Sequence, residues 1–180
     1  MKKKPIYLWV LLVLSALISA MSLFGILSPV PSKEALGASQ AKVQGISAQQ
    51  LEDTINYLHK TAELSHSTVN IVLIILSAIL VIAGIVLLVR NHLQYANYAY
   101  IAYVLLAIVG SIYTYMGMQD AVQAIRDETL RLGTEVLGKG TTILFVVINV
   151  LFLAIVFYKM WRQQKELAEE ALQTAQLHGN

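Results

Sequence analysis

Cysteine is absent from all 180 residues. That excludes a disulfide framework, a cysteine-held metal, a lipobox-type acylated cysteine and the quinone-coupled thiol chemistry of some four-helix membrane enzymes. Charge is scarce too: 13% of residues are Asp, Glu, Lys or Arg, against about 25% in an ordinary soluble domain. The scarcity is local. Ile6–Ser28, Thr68–Val89, Tyr95–Gly117 and Thr141–Tyr158 hold no Asp, Glu, Lys, Arg or His. A bilayer core of roughly 30 Å needs about twenty helical residues, with about seventeen as the lower limit. All four stretches meet that length. The expected fold class is therefore all-α, an integral membrane four-helix bundle forming one domain over residues 1–180. The outer loops are 29–67 and 118–140, and a helical cytoplasmic tail covers 159–180. A 57% hydrophobic share and a mean hydropathy of +0.62 agree, and leave no room for a soluble domain of ordinary size.

These absences limit function. An ionisable group at mid-membrane costs about 2.5–3.5 kcal/mol and is kept mainly for ion, proton or substrate paths. The spans keep none. No G-x-x-x-x-G-K-[ST], H-E-x-x-H or G-x-S-x-G occurs, so the nucleotide, zincin and serine-hydrolase signatures are missing. No enzyme activity, catalytic residue or cofactor is expected. A net charge of +2 is too small to suggest nucleic acid. The expected partners are membrane lipids and either another membrane protein or a second copy.

Lys2–Lys4 before an apolar run resembles a signal peptide, but that run continues through Phe24, Gly25, Ile26 and Leu27, and Ile18 spoils the best small-residue cleavage site. A retained span is expected, ended by Pro29 and Pro31, which break helices. Orientation follows positive charge. One side carries seven Lys and Arg against three carboxylates, the other six against eight. The seven lie at span ends: Lys2–Lys4, Arg90 in the Arg90–Gln94 turn, and Lys159, Arg162 and Lys165. Both termini are expected in the cytoplasm of a bacterial plasma-membrane protein. Tyr7, Trp9, Tyr95, Tyr98, Tyr158 and Trp161 read as interfacial anchors on that side, and Tyr100 and Tyr103 as part of the same belt.

In the first outer loop, Pro29–Gly45 is expected to be irregular, apart from a short helical turn at Ser32–Ala38. Ser47 with Gln50 is a capping box. Leu51, Ile55, Leu58 and Ala62 then mark one face of a helix leading into the second span. In the second loop Met118, Val122, Ile125, Leu132 and Val136 suggest a similar helix, with breaks at Gly133, Gly138 and Gly140. The two outer helices are expected to pack together as a cap. In the tail, Trp161, Lys165, Ala168, Leu172 and Ala175 share one weakly apolar edge.

Asn149, the only strongly polar residue of the fourth span, is expected to hydrogen-bond another helix. Ser15, Ser19 and Ser22 on the first span, and Ala107, Gly110, Thr114 and Gly117 on the third, read as helix-packing stripes. His59, Glu63 and His66 share a face at i, i+4 and i+7; they are weak candidate metal ligands, and a solvated face is the expected reading.

The opening M-K-K-K-P-I-Y-L-W-V-L-L, the P-V-P-S-K-E-A-L after the first span and the F-Y-K-M-W-R-Q-Q-K-E-L after the fourth resemble uncharacterised small four-span membrane proteins of Gram-positive bacteria, sometimes labelled membrane-spanning transporter components. The resemblance runs the length of the chain and implies its topology and a bacterial plasma membrane. It carries over no catalytic or binding residue. The sequence lacks the membrane-embedded Glu of small multidrug transporters, the Trp and Cys pattern of claudins and the Cys motifs of tetraspanins. The expected function is non-enzymatic: an accessory or regulatory subunit of a bacterial envelope or transport complex that works by protein–protein contact. The alternatives are a membrane-spanning subunit of an ATP-driven transporter and a self-protection protein against membrane-active peptides.

Overall fold

The computed structural model describes residues 5–40 and 47–178, with side chains to 169 and at 172. Lys2–Lys4, the 41–46 part of the first loop with Lys42, and the Ala175 side chain lie outside what is described. Six helices follow in order: α1 (Ile6–Leu27), α2 (Lys33–Gln40), α3 (Ala48–Ser65), α4 (Thr68–Val89), α5 (Leu93–Val122) and α6 (Glu128–His178). Among the described residues there is no strand. α1, α4, α5 and α6 are each long and apolar enough to cross a membrane.

Local chemistry sets the helix ends. α1 begins after Pro5, whose carbonyl accepts from the Leu8 and Trp9 amides, and stops at Ser28 before Pro29. The expected short turn in the first loop is α2, capped by Ser32 Oγ at the Ala35 amide (3.3 Å). Ser47 and Gln50 form the capping box of α3. Ser67 caps α4 by accepting from the Asn70 amide at 3.3 Å. Between α4 and α5, Asn91 takes φ 61°, a left-handed conformation that asparagine tolerates better than most residues.

The second loop departs from the expected pattern. α5 runs on to Val122, and α6 starts at Glu128 and continues unbroken through Gly133, Gly138 and Gly140 into the fourth apolar segment and the tail. No separate second outer helix exists among the described residues. The break falls at 123–127 instead, where Asp127 Oδ1 accepts from the Leu130 amide at 2.8 Å and so caps α6. Glycine costs about 0.8–1 kcal/mol in a helix, which the two flanking helical segments together outweigh. Of the stripe expected there, Val122 and Ile125 are buried and Leu132 and Val136 are exposed.

The four long helices pack in the order α1, α4, α5, α6, with α3 laid over α5 and α2 against α3. The packed core lies at one end, where α1 and α5 begin and α4 ends. Leu8, Leu11, Leu12, Val81, Leu88, Ala96, Tyr100, Tyr103, Val104 and Val156 meet there. Gly84 lets α1 close on α4: a Cβ in its place would lie 2.9 Å from Leu12 Cδ2. Tyr7 donates to Asn97 Oδ1 at 3.0 Å, and Lys159 Nζ stands 6.0 Å over the Tyr7 ring, which draws α1 and α6 together. Tyr95, Tyr98, Tyr158 and Trp161 are exposed around this end, whereas Tyr100 and Tyr103 belong to its core with ring centroids 5.9 Å apart.

Candidate functional site

Side-chain size falls along the bundle axis. Large residues fill the Arg90 end; towards α3 serine, threonine, alanine and glycine are interspersed among larger residues such as Ile26, Leu73, Leu106 and Met118. The result is a cavity of about 920 Å³ in the half of the bundle beneath α3. All four long helices and α3 line it, among them Ser19 and Ser22 of α1, Ser77 of α4, Gly110 and Thr114 of α5, and Thr142 of α6. Among the described residues the wall holds no Asp, Glu, Lys or Arg, and its charge-capable rings and phenols are His66, Tyr57 and Tyr103. Burial raises the Tyr57 phenol above its usual pKa, keeping it neutral.

Hydroxyl orientation follows from helix geometry. Ser22 donates to Ile18 O (3.0 Å), Ser111 to Ala107 O (2.8 Å) and Thr142 to Gly138 O (2.9 Å). Each spends its hydrogen on the preceding turn and keeps its lone pairs as acceptors. Ser19 also borders the cavity and is 8% exposed.

α3 is held over this half by a clasp. Asp53 is 1% exposed and accepts from the Arg126 amide (2.9 Å), the Asp127 amide (3.1 Å) and Arg126 Nε (2.9 Å). Arg126 Nη2 also donates to Glu52 at 2.7 Å, and Gln50 Nε2 to Asp127 Oδ2 at 3.1 Å. Desolvation is the largest single influence on the Asp53 carboxyl and pushes its pKa up. The Arg126 side chain, the two amides and the guanidinium charge together reverse it, so the pKa lies below the usual value. At the other end of α3, Leu64 fits against Gly117, where an added Cβ would lie 2.5 Å from Leu64 Cδ1. His66 Nδ1 faces Ala62 O at 2.9 Å and Nε2 faces Ser28 O at 2.7 Å, which ties the end of α1 to α3.

The residues singled out in the sequence are thus distributed as follows. Ser19, Ser22, Ala107, Gly110 and Thr114 line the cavity rather than a tight helix seam; a Cβ on Gly110 would meet only Leu73 Cδ1, at 4.0 Å. Ser15 is buried beside the packed end. Gly117 receives α3, not another long helix. Asn149 is 6% exposed, but its amide donates to Phe145 O of its own helix at 2.8 Å, so the expected interhelical bond from that nitrogen is replaced by one along α6. His59 lies 3.6 Å from Glu63, while His66 turns to its two carbonyls. The three do not converge, and no group of three His, Cys, Asp or Glu suited to a metal occurs among the described residues.

Sequence reasoning missed Asp53, Arg126, Gly84 and Asn97. Asp53 lies off the apolar stripe of α3, and nothing local marks an acid as buried when its partners are 73 residues away. Asn97 stands inside an apolar segment as Asn149 does, so the same signal was present.

No curated protein and no solved structure matches this chain. A family model, "Domain of unknown function (DUF8777)", matches residues 1–169. The chain therefore belongs to the DUF8777 family.

Proposed function

We propose that this chain is a non-enzymatic, multi-pass protein of a bacterial plasma membrane, an accessory or regulatory subunit that acts through contact with another membrane protein or a second copy of itself. The observation that carries the reading is the far end of α6. Beyond Met160 large apolar side chains stand exposed: Trp161, Leu167 and Leu172 by 62%, 59% and 65%. Arg162–Glu166 (2.9 Å) and Lys165–Glu169 (3.9 Å) pairs brace it, although exposed pairs of this kind give only about 0.3–0.5 kcal/mol each. A charged helix that presents large apolar side chains is suited to docking rather than to chemistry. Membrane insertion is supported by the exposed apolar outer faces of the four long helices, which water would solvate poorly.

Purification in mild detergent is expected to recover one stoichiometric partner or a homo-oligomer, and Leu172→Glu with Trp161→Ala is expected to release it. A monomer without partner in several detergents would overturn the reading. In the proposed topology both termini are cytoplasmic and α2 and α3 are outside, by the basic residues at the span ends. The cysteine-free chain makes this simple to check: Ser39→Cys is expected to react with an impermeant thiol reagent on intact cells, and protection would reverse the orientation. A transporter subunit with its path between copies and a self-protection protein remain the alternatives. An adjoining ATPase gene would favour the former, and sensitivity of a deletion strain to membrane-active peptides the latter.

A further inference from the structure

We propose that the cavity beneath α3 binds the head group of a neutral glycerolipid, of the diacylglycerol class, which enters from the bilayer between α1 and α6. The site rests on the membrane reading above, but not on the contact role.

The wall chemistry selects the ligand. Among the described residues no Lys or Arg lines the cavity and the one imidazole, His66, is turned to two backbone carbonyls, so a phosphate there would lack a paired cation, and burying an unpaired charge is strongly unfavourable. A purely apolar occupant would leave the hydroxyls unused. Ser22, Ser111 and Thr142 offer lone pairs to a ligand hydroxyl, because their own hydrogens are committed to the helix. Ser19, nine-tenths buried and bordering the cavity, can supply a hydrogen to a ligand carbonyl. A diacylglycerol hydroxyl can give its hydrogen to one of the Ser22, Ser111 and Thr142 oxygens while one of its ester carbonyls accepts from Ser19. A volume of about 920 Å³ lies near the top of the roughly 300–1,000 Å³ usual for small-molecule sites, room for a glycerol head and the start of its chains.

The entrance follows from packing. α1 packs on α4 and α6 on α5, and the Tyr7–Lys159 contact joins α1 to α6 only at the opposite end. Ile18 of α1 and Phe145 of α6 border the cavity yet are 47% and 38% exposed, which marks its two lips. A Cβ on Gly25, also in the wall, would meet nothing within 4 Å.

The full-length protein is reconstituted in phosphatidylglycerol–phosphatidylethanolamine vesicles with a trace of photoactivatable diacylglycerol or, in parallel, phosphatidic acid with the same chains. The diacylglycerol probe is expected to label peptides spanning 18–26, 107–114 and 134–145, and phosphatidic acid to label them at least about tenfold less, since an unpaired buried charge exceeds the 1.4 kcal/mol that tenfold represents. Gly110→Phe fills the space and is expected to abolish this labelling while melting stays unchanged; Val109→Phe, on the exposed face, retains it. Should Gly110→Phe fail to fold, Ala107→Phe serves in its place, and the wild-type peptide map stands without either. Equal labelling by both probes, labelling confined to outward faces, or undiminished labelling of a folded cavity-filled variant would overturn the proposal. Protein recovered outside the vesicles would overturn the membrane reading as well, whereas loss of a partner alone would leave the lipid site standing.

Discussion

At the scale of single residues the most consequential side chain is Asp53. Its buried carboxylate accepts from two backbone amides and the Arg126 guanidinium at once, so removing it leaves three part-buried donors without that partner. Hydrogen bonds to charged groups contribute about 1.5–3 kcal/mol each, and Asp53→Ala is expected to destabilise α3 docking by at least about that much, read as faster proteolysis between α2 and α4. The pH dependence follows from the lowered pKa. The carboxylate's stabilisation is complete above the unfolded value, about 3.9, and is lost as pH falls through the lower folded value. Protease resistance of α3 should therefore stay flat from pH 8 to about pH 5 as far as Asp53 is concerned, and fall below about pH 4. Asp53→Asn should remove that acid step; its persistence would mean that another group controls it. Asn149 is a smaller matter. With its amide bonded along its own helix, Asn149→Leu is expected to cost no more than the roughly 0.6 kcal/mol average of polar contacts in membranes, measured as melting in detergent.

Among elements, α6 shows how far local pattern carries and where it stops. The four apolar segments, the Ser47–Gln50 box and the stop at Pro29 are local signals, and the helices that follow from them are present. The second loop was misread because three glycines looked like punctuation. Glycine only weakens a helix, whereas the real break at 123–127 is fixed by Asp53 reaching across from α3 and by the Asp127 cap. The cavity was hidden for a related reason: a stripe of small residues is the same string whether helices close over it or stand apart. Gly133 and Gly140 have nothing within 4 Å of an added Cβ, so Gly133→Ala and Gly140→Ala should each stabilise α6 by roughly 0.5–1 kcal/mol, seen as a higher melting temperature. Asn91→Val, forced into the left-handed region, should lower it by about 1–2 kcal/mol, while Asn91→Gly should be tolerated.

For the whole molecule, the division of labour between its two ends depends on which residues are large and where. Leu8, Leu12, Tyr100 and Tyr103 close one end; serine, threonine and glycine leave the other open beneath α3. Gly84→Leu is therefore expected to cost more stability than Gly110→Leu although both replace a glycine in an apolar helix, because only Gly84 faces a neighbour within 3 Å. Thermal melts of the pair in one detergent compare them directly, and equal losses would mean that the packed end does not dominate stability.

Continuity of α6 brings the two ends into one body. At 1.5 Å per residue its 51 residues make a rod of about 76 Å, and no proline or turn interrupts it from Glu128 to His178. A single unbroken helix therefore carries both the exposed Trp161 and Leu172 and the cavity-lining Phe145 and Thr142, so a partner on the tail and an occupant of the cavity would hold one and the same element.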